Sequence, residues 1–103
     1  MSCENVNVIY MIECQKSNCN QRYIGETGRL LRYRLAEHRG YVVNHVTTQP
    51  TGAHFTSPGH SLSDMKIMII EQVKIQDPAY RKEREKYFIN KFNTFYEGMN
   101  RKH

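Results

Sequence analysis

The chain has no tryptophan, only three prolines, and three cysteines in 103 residues. An odd cysteine count does not close into a disulfide framework, so a reducing intracellular compartment is the expectation. No apolar run approaches the ~20 residues that cross a bilayer, and no secretory-signal pattern opens the sequence. No membrane partner is therefore expected. Acidic residues are also scarce, ten against fifteen Lys and Arg, for a net charge of +5. That imbalance points to a polyanionic partner, most often nucleic acid. What remains is ordinary: 39% hydrophobic and 24% charged residues, without repeat or low-complexity tract. A chain of this length forms one domain whose core has little stability to spare. A bound metal would help it.

The apolar pattern gives an α+β order. Residues 6–13, "VNVIYMIE", are rich in Val, Ile and Tyr and predict a strand. "CQKSNCNQ" is a polar turn, and "RYIG" a short second strand, so the two form an antiparallel hairpin. "ETGRLLRYRLAEHRGY" predicts a helix with Thr27 as its N-cap and Gly40 as its stop. Residues 41–64 have no clear period and read as a long loop, a length that implies a task or a tether. Residues 66–73, "KIMIIEQV", predict a buried strand. Pro78 opens a second helix over about 78–92, and a tail with a turn at Gly98 follows.

Each helix carries a charge on its apolar side. At about 100° per residue, Leu30, Leu31, Leu35, His38 and Tyr41 lie within about 100° of Arg34, while Arg32 and Arg39 lie opposite. In the second helix Phe88, Ile89 and Phe92 lie within about 60° of Glu85, and Glu83 lies on the far side. A guanidinium or carboxylate in a buried stripe needs a partner. An Arg34–Glu85 structural ion pair would satisfy both, and so would a binding site. Tyr10 and Tyr23 fall among apolar strand residues, where a core role is the ordinary one.

Taken together, "VIY" at 8–10, "YIG" at 23–25, then Arg34, His38, Glu85 in "EKYFI" and Asn100 after "EG" resemble the GIY-YIG nuclease superfamily. Val8 replaces the first glycine, and one extra residue separates "YIG" from the arginine. Within the superfamily, "ECQKSNCNQRYIGETGRLLRYRLAEH" and "HFTSPGHSLSDMKIMIIE" resemble the endonuclease domain of Penelope-like retroelements. The resemblance implies a small α+β domain, with a three-stranded antiparallel sheet flanked by helices and a zinc-pinned loop. It implies a metal-dependent DNA endonuclease that nicks target DNA for retroelement insertion. The domain would be excised from a larger polyprotein, with a reverse transcriptase in cis and a nuclear location following from that role. The oligomeric state stays open between a monomer in isolation and a pair of domains that cuts both strands.

Phosphodiester cleavage requires an activated water, charge stabilisation on the phosphorane and a neutralised leaving oxygen. A divalent ion supplies several kcal/mol of this. With Glu85 the only carboxylate in an apolar stripe, one Mg²⁺ or Mn²⁺ is expected, held mostly by water and phosphate oxygens. Arg34 has the planar fork for the scissile phosphate. The resemblance gives Tyr10 the task of deprotonating or orienting the water, although a phenol is a poor base at neutral pH unless a cation lowers its pKa. Tyr23 would orient the water or a phosphate oxygen. His38 would share the base's work or bind phosphate, and Asn100 would tie the tail to the site.

Cys14 and Cys19 are separated by four residues, and His54 and His60 by five. Both spacings occur in structural zinc sites, and the resemblance favours Zn²⁺ bound by all four. Two free thiols and two surface histidines is the other reading; Cys3 and His45 are spares. Two further functions stay open: a zinc-stabilised module that binds nucleic acid without cutting it, and a structure-specific repair nuclease on the same fold.

Overall fold

Val8–Cys14 form a strand, β1, that is buried almost throughout because both of its faces are covered. It is the centre of a three-stranded sheet of order β2-β1-β3, where β2 is Arg22–Thr27 and β3 is Met65–Gln72. Both pairings are antiparallel. The computed structural model describes residues 4–100; Cys3 lies outside them.

The alternation along β1 sorts two cores. Val8, Tyr10, Ile12 and Cys14 pack with Leu31, Val42 and Phe55. Ile9 and Met11 pack with Ile24, Val73 and Phe88. The first layer is built by helices α1 (Leu31–Val43) and α2 (Pro50–Phe55), the second by α3 (Pro78–Phe92). Burying each Ile, Val or Phe stabilises by about 1.5–3 kcal/mol, so a sheet covered on both sides compensates for the small size of the domain. A four-residue helix, α4 (Thr94–Glu97), leads to the tail. Among the described residues no helix is long and apolar enough to cross a membrane.

Helix α1 starts later and ends later than the sequence suggests. Thr27 stays in β2, opposite Val8, and its hydroxyl accepts from the Arg29 N–H in the following turn. Leu30, not Thr27, stands at the N-cap. Gly40 lies within the helix. Its cost of about 1 kcal/mol is outweighed by the burial of Val42 two residues on, and the chain turns only at His45, whose φ of 53° is left-handed.

The expected loop over 41–64 contains α2 and a 3-10 turn at Leu62–Asp64. Pro50 at the first turn of α2 was a readable start; the helix is short, and its packing comes from contacts distant in sequence. A β-carbon at Gly52 would run into the Val46 carbonyl, so glycine lets α2 close onto the end of α1. Helix α3 begins at Pro78 as predicted, with the Asp77 side chain accepting from the Ala79 N–H.

Candidate active site

Arg34 comes from one helical layer and Glu85 from the other, and they meet around the outer edge of β2. There they line a cavity of about 450 Å³ with Tyr23 and Glu26 of β2, Arg29 of the following turn, and Arg81 and Lys82 of α3. The two groups are not paired with each other. Arg34 donates to the Glu37 carboxylate at 2.9 Å and, through Nε, to the Tyr10 hydroxyl at 3.1 Å. Among the described residues no hydrogen bond or ion pair reaches the Glu85 carboxylate. Burial, with Glu26 nearby, pushes Glu85 up to about 7. A structural Arg34–Glu85 pair is therefore not what holds these charges.

Glu26 and its partners were not foreseen. Arg81 and Lys82 approach the Glu26 carboxylate at 3.4 and 3.6 Å. Arg81 stands one helical turn before Glu85, a spacing visible in the sequence. Glu26 is visible only once β2 is known to lie against α3.

Behind the cavity wall runs a chain of buried polar groups. Tyr10, His38 and Thr51 are almost wholly enclosed. The Tyr10 hydroxyl lies 2.8 Å from His38 Nε2, and His38 Nδ1 lies 2.7 Å from the Thr51 hydroxyl. No local pattern pointed to Thr51, which sits in the segment read as a loop. The Tyr23 and His38 rings meet edge to face with centroids 5.3 Å apart. Burial pushes Tyr10 well above the ordinary phenol range, Tyr23 adds to this, and Arg34 offsets only part of it. Burial likewise raises Tyr23 against the pull of Arg34. His38 is pushed down to about 3 by burial and by Arg34, so it is neutral at any working pH. Of the two tyrosines, Tyr23 lines the cavity; Tyr10 stands beneath it.

Two further residues shape this wall. Gly25 pairs with Tyr10 across the sheet, and the Tyr10 ring lies so close over it that a β-carbon there would overlap the ring. Asn100 clamps the free edge of β2: its side-chain amide accepts from the Ile24 N–H at 2.7 Å and donates to the Ile24 carbonyl at 2.8 Å.

A second cluster lies at the end of β1. Cys14 at the strand end, Cys19 in the hairpin turn, His54 on α2 and His60 before the 3-10 turn bring four ligating atoms within 4.8 Å of one another. Cys14 and Cys19 are free thiols. Cys19 Sγ lies 3.4 Å from His54 Nε2, and His60 Nε2 is buried without a hydrogen-bond partner among the described residues. Burial pushes the Cys14 thiol up to about 11. Burial also works against the Cys19 thiolate, but the neighbouring His60 ring first, then the Gln21 backbone, bring it below the ordinary thiol value. Two soft sulfur donors, two imidazoles and an orphaned ring nitrogen suit a metal such as zinc. His45 is exposed and takes no part.

Residues 6–100 match the profile of the GIY-YIG catalytic domain. The chain belongs to the GIY-YIG family. It is thus a nuclease domain, a hydrolase of phosphodiesters, and DNA is the substrate that follows. No curated protein and no solved structure matches the chain.

Proposed function

We propose that this GIY-YIG domain is a metal-dependent endonuclease that nicks target DNA for insertion of a Penelope-like retroelement. It would do so as part of a longer chain carrying a reverse transcriptase, in the nucleus. The observation that carries the catalytic reading is Glu85: a half-buried carboxylate, without a hydrogen-bonded partner among the described residues, facing a cavity it shares with Arg34. A structural acid would be paired; one left open is suited to a cation. The retroelement reading is supported by the cysteine pair between the two tyrosine motifs and by the "HF…GH" segment.

In this reading Glu85 holds Mg²⁺ or Mn²⁺. Bound there, the ion would supply Lewis-acid stabilisation of the phosphate and the leaving oxygen. Arg34 binds the scissile phosphate; its position is set by Glu37 and Tyr10. Arg29, Arg81 and Lys82 add positive charge around the cavity for the flanking phosphates. Tyr23 orients the attacking water, and the general base is drawn from the Tyr10–His38 pair behind it. Asn100 keeps the β2 edge in register. At the second site Cys14, Cys19, His54 and His60 hold a structural Zn²⁺ that pins the segment between α1 and β3.

A supercoiled plasmid nicked in the presence of Mg²⁺ by the wild-type domain, and not by Glu85→Ala or Arg34→Ala, is the expected result. Equal nicking by all three proteins would mean that the cavity is not the active site. Tight DNA binding with no cleavage at any divalent ion would leave a binding module. Preference for branched over linear duplex would replace the retroelement role with a structure-specific one.

A further inference from the structure

We infer that Arg81 is a fixed phosphate-binding residue: Glu26, Asn7 and Gly28 seat its guanidinium to hold a second phosphate of the DNA that Arg34 grips. The inference deepens the nuclease reading and rests on it. It separates Arg81 from Arg29 and Lys82, which bring charge to the same cavity without a fixed position.

Four cations line the cavity, and they fall into two kinds. The side chains of Arg29 and Lys82 are 57% and 67% exposed, those of Arg34 and Arg81 only 22% and 13%. The exposed pair must be ordered when a ligand arrives, at a cost in side-chain entropy. The enclosed pair is already in place, Arg34 from α1 and Arg81 from α3.

Three contacts fix Arg81. Its Nε lies 3.4 Å from both Glu26 carboxylate oxygens, and Nη1 donates to Asn7 Oδ1 at 3.0 Å. Asn7 is itself buried, and its side-chain nitrogen donates to the Val73 and Ile75 carbonyls at 2.6 and 3.1 Å. With the amide nitrogen committed to those carbonyls, the amide oxygen is left to face Arg81. Gly28 supplies the third contact. A β-carbon there would stand 2.9 Å from Nη1 and 3.2 Å from Cζ and Nη2. Gly28 is not among the residues with a left-handed backbone, so its own conformation does not call for glycine. The space that a side chain would fill is taken by the guanidinium.

The seat leaves one edge open. A guanidinium carries five N–H hydrogens. Glu26 and Asn7 engage Nε and Nη1, while Nη2 makes no hydrogen bond among the described residues. Nor is Nη2 sealed in. Among the described residues the buried side-chain atoms without a hydrogen bond are His60 Nε2 and Thr94 Oγ1. The Nη2 group therefore keeps contact with solvent, in a residue that forms a wall of the cavity. A brace between α3 and the sheet would need only Nε and Nη1. Positive charge is also in surplus, because the one Glu26 carboxylate is shared between Arg81 and Lys82. An open planar donor with unbalanced positive charge suits a phosphate oxygen.

Duplex DNA binding by the domain, measured without Mg²⁺ or Mn²⁺ so that no strand is cut, tests the assignment. Arg81→Ala should weaken affinity by about tenfold or more and lower the slope of log affinity against log salt by about one. Arg81→Lys keeps the charge and loses the fork, so it should restore the slope but not the affinity. Gly28→Ala keeps every charge and displaces only the guanidinium. It should weaken binding by about threefold or more with no loss of melting temperature. In nicking assays it should raise KM while kcat at saturating DNA stays within about threefold of the wild type. Arg81→Ala with wild-type affinity and slope, or Gly28→Ala that binds like the wild type, would make Arg81 a brace and overturn the inference. Full rescue of affinity by the lysine would overturn it as well. Should Arg81→Ala not fold, Gly28→Ala decides alone. If the wild-type domain binds DNA but does not nick it, the nuclease reading fails, while the binding series still decides whether Arg81 holds a phosphate.

Discussion

The cavity at the β2 edge and the cluster at the end of β1 are both polar constellations assembled from several elements, but they are built to opposite rules. In the cluster four ligating atoms converge to within 4.8 Å of one another. Donors that close together suit a single metal ion. At the cavity the charges are held apart: Arg34 is tied back to Glu37 and Tyr10, Glu26 is tied to Arg81 and Lys82, and Glu85 is left open. Convergence around one point serves stability. An unsatisfied carboxylate costs stability and is tolerated where it serves function.

The largest expected effect is a double dissociation between the two. Arg34→Ala and Glu85→Ala should reduce plasmid nicking by ~10²-fold or more with little change in melting temperature. Cys14→Ser or His54→Ala, and chelation of the wild type, should lower the melting temperature. At 4–8 °C per kcal/mol for a domain of this size, loss of a structural zinc of the kind proposed would be plain in calorimetry. Elemental analysis should find about one zinc per chain before chelation and none after. Unchanged melting together with no bound zinc would remove the cluster from the account.

Next in size is Gly25→Ala. The added methyl meets the Tyr10 ring, and that ring cannot swing aside without breaking its bonds to Arg34 and His38. Overpacking of this kind costs about 1–3 kcal/mol. Nicking should fall with it, because the change displaces the tyrosine on which Arg34 rests. A Gly25→Ala variant with wild-type melting and wild-type nicking would show that the Tyr10 position has no bearing on the cavity.

The difference between the sites also explains what could be read in advance. Arg34 and Glu85 could be placed because helical periodicity reports which face is buried, and both helices do bury that face. The antiparallel hairpin and the strand near 66–73 were legible from their β-branched runs; their union in one three-stranded sheet was implied by the family resemblance. Glu26, Arg81 and Lys82 were missed because their roles depend on how β2 lies against α3, which no local period encodes. Thr51 was missed because α2 is six residues long, too short for an apolar repeat to stand out. The ends of α1 were misjudged for a related reason. Thr27 and Gly40 are good local signals, but strand pairing took the first and the burial of Val42 overrode the second.

Asn100→Ala should have a smaller effect, confined to the edge of the cavity. It removes two hydrogen bonds to Ile24, each worth about 0.5–1.5 kcal/mol net. Among the described residues the outer edge of β2 then keeps the hydrogen bond from the Met99 N–H to the Arg22 carbonyl. Hydrogen exchange at Ile24 should speed up while the amides of β1 keep their protection. Loss of protection throughout the sheet would make Asn100 a global brace, not an edge clamp.

The smallest effect has the opposite sign and concerns Glu85 itself. With its pKa raised to about 7, the native carboxyl holds a proton that the unfolded chain has already released above its ordinary value near 4.5. Native stability without a divalent ion should therefore decline as pH rises from 4.5 to 7, and the full penalty should remain above 7. Glu85→Gln carries no such charge. Measured in the absence of Mg²⁺ and Mn²⁺, it should melt at the same temperature as the wild type near pH 4.5 and slightly above it at pH 8. A Gln variant that melts below the wild type at pH 8 would mean that the carboxylate has a stabilising partner in solution, and Glu85 would then follow the rule of the cluster, not that of the cavity.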